Sequence, residues 1–125
     1  MLAEGGLGWV GMLADRADFV LAHSASGHEG GSWRGDLLPS EVLRRNFWFC
    51  SIDDPTAFGS AAAIGIDHLL VESDYPHADS TWPDTQSVIS QNLAALDDQS
   101  AAKITHLNAA GLFRHPLPDP GWLTA

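Results

Sequence analysis

Residues 69–83 read LLVESDYPHADSTWP, and the rest of the chain can be arranged around them. The apolar run Leu69-Leu70-Val71 suits a short buried strand. It gives way to Glu72-Ser73 and hands Asp74 to a turn. Tyr75-Pro76-His77, Asp79, Trp82 and Pro83 follow. A strand that ends in a carboxylate, with histidine and aromatics beside it, is how α/β enzymes set a reactive group at the rim of a sheet. The same residues are also turn chemistry, because Asp accepts local backbone hydrogen bonds and Pro fixes φ. Both readings of Asp74 stand on spacing alone.

Upstream, residues 46–52 are aromatic and apolar, as a strand buried on both faces would be. Asp53-Asp54-Pro55 then supplies an N-cap and a proline for a first helical turn. An alanine-rich helix is expected to about Ile64, with Gly65 as its C-terminal cap and a strand over residues 66–73. Strand, helix and strand in so short a span make a βαβ unit, with parallel strands and a right-handed crossover. In such sheets functional groups collect beyond the C-terminal strand ends. Those ends are Asp53-Asp54 and Asp74, joined by Glu4 if the first residues are also a strand. Asp54 is assigned to capping alone.

Glu4-Gly5-Gly6-Leu7-Gly8 reads as the tail of a strand and a turn. A helix is expected over residues 9–22. Val10, Leu13, Ala17, Val20 and Leu21 mark its inner face, and Asp15, Arg16 and Asp18 fall largely on the other. Residues 23–35 form a glycine-rich polar loop, where His28-Glu29 near Trp33 could be a binding edge or solvated surface. A brief helix is expected from Pro39 to Arg45, with Ser40 as N-cap. Beyond the central stretch, Asp84 caps a helix whose inner face is Val88, Ile89, Asn92, Leu93 and Leu96. Asp97-Asp98 caps another over residues 99–110. There Ile104 and Leu107 or Asn108 face inward and Gly111 is the stop. Residues 115–125 are an irregular, proline-rich tail, so the folded unit is expected to be 1–114.

The 125 residues suit one domain, about half of the roughly 250 that an eight-stranded α/β barrel needs. A net charge of −10 argues against nucleic acid or an anionic membrane as partner. The single cysteine, Cys50, can form no disulfide within the chain and is expected to be a small buried hydrophobe. No basic leader and no apolar run of membrane length is present, which makes the cytoplasm the default compartment.

These blocks together resemble the amidohydrolase-related proteins. They are Glu4-x-Gly-x-Gly-Trp9, Leu38-Pro39-Ser40-Glu41, Arg44-Arg45-Asn46, Asp53-Asp54-Pro55, Ser73-Asp74-Tyr75-Pro76-His77, Trp82-Pro83 and Asn108-Ala109-Ala110. That branch of the metal-dependent hydrolases includes aminocarboxymuconate-semialdehyde and resorcylate decarboxylases. The resemblance spans residues 2–114, and Ser-Asp-Tyr-Pro-His with Trp82-Pro83 is its most specific part. It implies an α/β fold, a partial (β/α)8 TIM barrel comprising the last two to three βα units plus C-terminal helices. It also implies a divalent metal, zinc first, in the complete barrel.

By the same resemblance Asp74 is the catalytic and metal-binding aspartate, and Glu4 is a second acid on the metal side. His77, Trp82 and Trp9 are candidates to bind a small-molecule substrate. The family's His-x-His strand and fifth-strand histidine have no counterpart here. A zinc site needs about three protein ligands and an open position; Asp74 supplies one, and Glu4 and His77 are the further candidates. Alone, this chain is therefore expected to hold metal weakly and to turn over nothing. Two readings follow: the C-terminal fragment of a metal-dependent hydrolase or decarboxylase, or a non-catalytic half-barrel that pairs with itself or with a chain carrying the N-terminal half. The other histidines, His23, His68, His106 and His115, share no ligand spacing and are read as structural or surface residues.

Overall fold

The computed structural model describes residues 1–23, 33, 35–55 and 58–119. The expectations for His28, Glu29 and the end of the tail lie outside these residues. Helix α1 is Gly8–His23, α2 is Pro39–Asn46 and strand β1 is Phe49–Ser51. A 3-10 turn, Phe58–Ser60, leads into α3, Ala61–Ile64, and a second, Ile66–His68, leads into strand β2, Leu69–Val71. Helix α4 is Thr85–Asn92 and α5 is Asp98–Ala102. A π-helical turn, Lys103–Leu107, then runs into α6, Asn108–Phe113.

The strands pair as expected, but are shorter than the apolar runs. β1 and β2 are parallel, with Phe49 opposite Leu69, Cys50 opposite Leu70 and Ser51 opposite Val71. Leu2 makes a parallel bridge to Phe49 on the other side of β1. Its N–H donates to Trp48 O at 2.7 Å, and Cys50 N–H donates to Leu2 O at 2.9 Å. The chain thus crosses the sheet three times in one direction, with β1 in the middle. Residues 46–48 are lost to strand pairing because α2 runs on to Asn46, and residues 66–68 because they wind as a 3-10 turn.

Side chains alternate across the sheet. Phe49 and Leu69 join Leu7, Val10, Phe58, Ala61, Ile64, Leu93 and Ile104 in the core between sheet and helices. Cys50 and Leu70 point to the opposite face and are also buried. Burial pushes the Cys50 thiol up to about 11, with the charge of Glu72 as a second cause.

Helix α1 corrects the expected inner stripe. Val10, Ala14 and Leu21 are buried, whereas Leu13 and Val20 are exposed. Asp18 is half-buried, and its Oδ1 accepts the Ser40 N–H at 2.9 Å, joining α1 to α2. Ser40 is accordingly not the N-cap of α2. Pro39 takes the first helical position, where no donor is needed. Leu38 is the cap, and its N–H donates to Glu41 Oε2 at 2.7 Å. Gly65 caps α3 at φ 108, as read from sequence.

Asp97 caps α5, accepting the Ser100 N–H at 2.9 Å and its hydroxyl at 2.7 Å. These bonds hold its carboxyl below its ordinary value. The last helix does not stop at Gly111. It continues to Phe113 and ends on Arg114 in a left-handed conformation, φ 53. Asn108 fastens this helix to the sheet: its Nδ2 donates to Ile66 O and Leu69 O, both at 2.8 Å. Among the described residues no helix is long and apolar enough to cross a membrane.

Candidate metal centre

Three parallel crossings put three chain exits on one rim: Glu4 after Leu2, Asp53 and Asp54 after β1, and Asp74 after β2. Glu4 and Asp74 both hold left-handed backbone, at φ 60 and φ 56. A non-glycine residue in this region is held there at a cost of order 1–3 kcal/mol and needs surrounding support. For Asp74 the support is local: its carbonyl accepts the His77 N–H at 2.8 Å, and Ser73 O accepts the Thr81 N–H at 3.1 Å and the Ser80 hydroxyl at 2.7 Å. For Glu4 it comes from across the sheet, where Glu72 Oε1 accepts its N–H at 2.7 Å.

The turn brings His77 back onto Asp74. Nδ1 lies 3.0 and 3.1 Å from the two carboxylate oxygens. Opposite an ionised carboxylate, which only accepts, Nδ1 is the donor of this pair. The Asp74 side chain is 10% exposed and His77 65%, so the pair has one sheltered and one open member.

Glu4, Asp74 and His77 each offer a ligand atom, and these atoms lie within 4.8 Å of one another. Two oxygen or nitrogen ligands on one zinc-sized ion, each at about 2.1 Å, stand no more than roughly 4.2 Å apart. Around a tetrahedral ion they would stand about 3.4 Å apart, so the set would have to draw together by about 1 Å to hold one. Two carboxylates and an imidazole suit zinc and comparable divalent metals, and the residues fit the group.

Not every candidate is brought here. Trp9 packs edge-on to Phe49, ring centroids 5.8 Å apart, and donates from Nε1 to Gly5 O at 2.9 Å, on the helix side of the sheet. Trp82 is 62% exposed and edge-on to Tyr75 at 5.8 Å. It lines a cleft of about 530 Å³ with Val71, Ser73, Thr85, Ile89 and Thr105, beside α4 rather than at the cluster. A smaller cleft of about 250 Å³ opens at the rim between Glu4, Asp53, Asp54 and Asp79. Asp54 accepts the Ser51 hydroxyl at 2.9 Å, and Asp53 accepts from Asn92 at 2.9 Å.

His68 packs on Trp48 with the rings tilted and centroids 4.5 Å apart and pairs with Phe47 O, and His23 pairs with Phe19 O, as structural histidines do. The residue that sequence reasoning missed is Glu72, for which it gave no role. His77, a candidate for both substrate and metal by sequence, lies against Asp74.

The amidohydrolase family model matches residues 1–115. The chain belongs to the amidohydrolase family. Among solved structures it is similar to 5-carboxyvanillate decarboxylase LigW from Sphingomonas paucimobilis, with a TM-score of 0.67 and 25% sequence identity. That match covers 85% of this chain and 31% of the decarboxylase chain, so this chain spans less than a third of that length. No curated protein matches the sequence.

Proposed function

We propose that these residues form the last βα units of a metal-dependent amidohydrolase-like barrel, and that Glu4, Asp74 and His77 hold its divalent cation. The observation that carries this reading is the convergence of their three ligand atoms at the C-terminal rim of parallel strands. The cation would polarise a substrate oxygen and acidify bound water. Asp74, with lone pairs beyond those facing His77, takes up or delivers the proton at a carboxylate oxygen. His77 would offer Nε2 to the cation while its Nδ1–H orients the Asp74 carboxylate. Glu4 completes the negative charge that draws the cation in. Tyr75 and Trp82 offer aromatic surface on the loop beyond.

This machinery serves hydrolysis of a C–N or C–O bond and decarboxylation of a carboxylated ring alike. The likeness to a carboxyvanillate decarboxylase makes a carboxylated phenol the first substrate to assay. Three donors and three sheet crossings leave the substrate wall open, so turnover requires further strands of a closed barrel.

The site is tested by titrating Mn²⁺ into the ¹⁵N-labelled chain. Paramagnetic broadening centred on residues 4, 74 and 77 is expected. Broadening centred on Asp53, Asp54 and Asp79 would overturn the assignment.

One observation favours a second reading. Among the described residues β2 has a strand neighbour on one side only. An unpaired edge of this kind recruits another strand. On that reading the chain is a non-catalytic half-barrel that associates with itself or a partner, and light scattering would show a dimer or larger assembly that binds no metal.

A further inference from the structure

Glu72 is the first residue beyond β2, and its N–H extends the ladder to Ser51 O at 2.9 Å. Two residues after Leu70, its side chain lies on the same face as Cys50 and Leu70. Its Oε1 accepts the N–H of Glu4, 68 residues away in the chain, at 2.7 Å. That is at the short end of the ordinary N–H···O range. The link is unusual in its reach. Glu4 follows the Leu2 bridge on one side of β1, whereas Glu72 leaves the strand on the other. Adjacent strands stand about 4.8 Å apart. The Glu72 carboxylate therefore spans the middle strand and ties the outer two together above Cys50.

Glu4 needs such a tie. Its backbone is left-handed at φ 60, and Gly6, two residues on, is left-handed at φ 63. The hydrogen bonds of Leu2 fix the chain just before this bend. The bond from Glu4 N–H fixes the bend itself, and with it the direction of the Glu4 side chain. Asp74 leaves the same strand two residues after Glu72. The ligand atoms of Glu4 and Asp74 lie within 4.8 Å of each other on this rim.

We propose that Glu72 is a positioning residue: by accepting the Glu4 amide it holds the left-handed bend that aims the Glu4 carboxylate at Asp74 and His77. This rests on the reading of those three as a metal centre. Glu72 would not bind the cation. It would act through Glu4, so reach matters and charge does not.

The test uses two replacements that separate reach from charge. Glu72→Gln keeps an acceptor at the same distance without the charge, and Glu72→Asp keeps the charge but is one methylene too short. Mn²⁺ affinity is measured on the full chain by calorimetry, with Asp74→Asn as control. The Glu4 amide is followed by ¹⁵N-correlated NMR. Wild type and Glu72→Gln should bind within about threefold of each other and keep a downfield Glu4 amide proton. Glu72→Asp should bind at least about tenfold more weakly, about 1.4 kcal/mol, with that resonance shifted upfield.

The opposite ranking, Asp like wild type and Gln weakened, would overturn the proposal in favour of a simple charge effect. Equal affinity in all Glu72 variants with loss in Asp74→Asn would overturn it while leaving the metal centre intact. Equal affinity in Asp74→Asn as well would remove the metal centre, and the Glu4 amide resonance would still decide whether Glu72 holds the bend.

Discussion

Asn108 is the sharpest point at which the packing can be probed. Its Nδ2 donates to Ile66 O and Leu69 O at 2.8 Å each, pinning the last helix to the entry of β2. Both bonds are partly buried, and a net contribution of about 1 kcal/mol each is ordinary. Asn108→Ala also leaves two carbonyls without this donor in a place water reaches poorly. The expected loss is about 2–3 kcal/mol. For a domain of this size it lowers Tm by about 10 °C. Asn108→Asp should be at least as damaging at pH 7, because a carboxylate faces two carbonyl oxygens. It should recover in part toward pH 4, where a protonated carboxyl regains one donor. Thermal and urea denaturation followed by circular dichroism provide the measurement. A Tm within 2 °C of wild type for Asn108→Ala, or a pH-independent Asn108→Asp, would refute the reasoning.

Gly6→Ala should cost about 1–2 kcal/mol in the same assay, since φ is +63 and a Cβ would sit 3.0 Å from Asp54 Oδ1. Gly8→Ala, with nothing within 4 Å of the new Cβ, should be neutral or mildly stabilising. Cys50 makes stability depend on alkaline pH. Its thiol rises from 9.0 unfolded to about 11 folded, so the folded state keeps its proton longer. Stability from this group is intact below pH 9 and falls between pH 9 and about 11, by ~3 kcal/mol in all. Urea unfolding of wild type and Cys50→Ala across pH 8–11 should show a steeper decline in wild type. Parallel curves would contradict the assignment.

What was legible in the sequence was set by local chemistry. The extent of α1, the Gly65 cap and the Asp97 cap each depend on residues within a few positions, and the parallel βαβ arrangement follows from the order of its apolar runs. What was not legible depended on partners far along the chain. Leu13 and Val20 have helical spacing with Val10, yet small Ala14 is the buried residue at that level of the helix. Asp18 looked like a surface acid because its partner, the Ser40 amide, lies 22 residues on. The last helix runs through Gly111 to Phe113, where Arg114 takes the left-handed cap, and Lys103–Leu107 winds as a π-helical turn that no local residue pattern announced.

At the rim, Asp74 was readable from the strand-to-turn transition. Glu4 was placed on the same rim by the strand-end pattern and by the resemblance, and the contact of His77 with Asp74 lay in the Asp-x-x-His spacing. Glu72 carried no signal, since an acid after a strand is common and its partner is at the other end of the sequence.

The most direct test of the central claim is the metal stoichiometry and affinity of the wild-type chain against Asp74→Asn, by equilibrium dialysis with Zn²⁺ and elemental mass spectrometry. One ion per chain is predicted for wild type, with affinity at least about tenfold lower when this ligand is replaced. Equal zinc in both proteins, at equal free metal, would contradict a centre built on Glu4, Asp74 and His77.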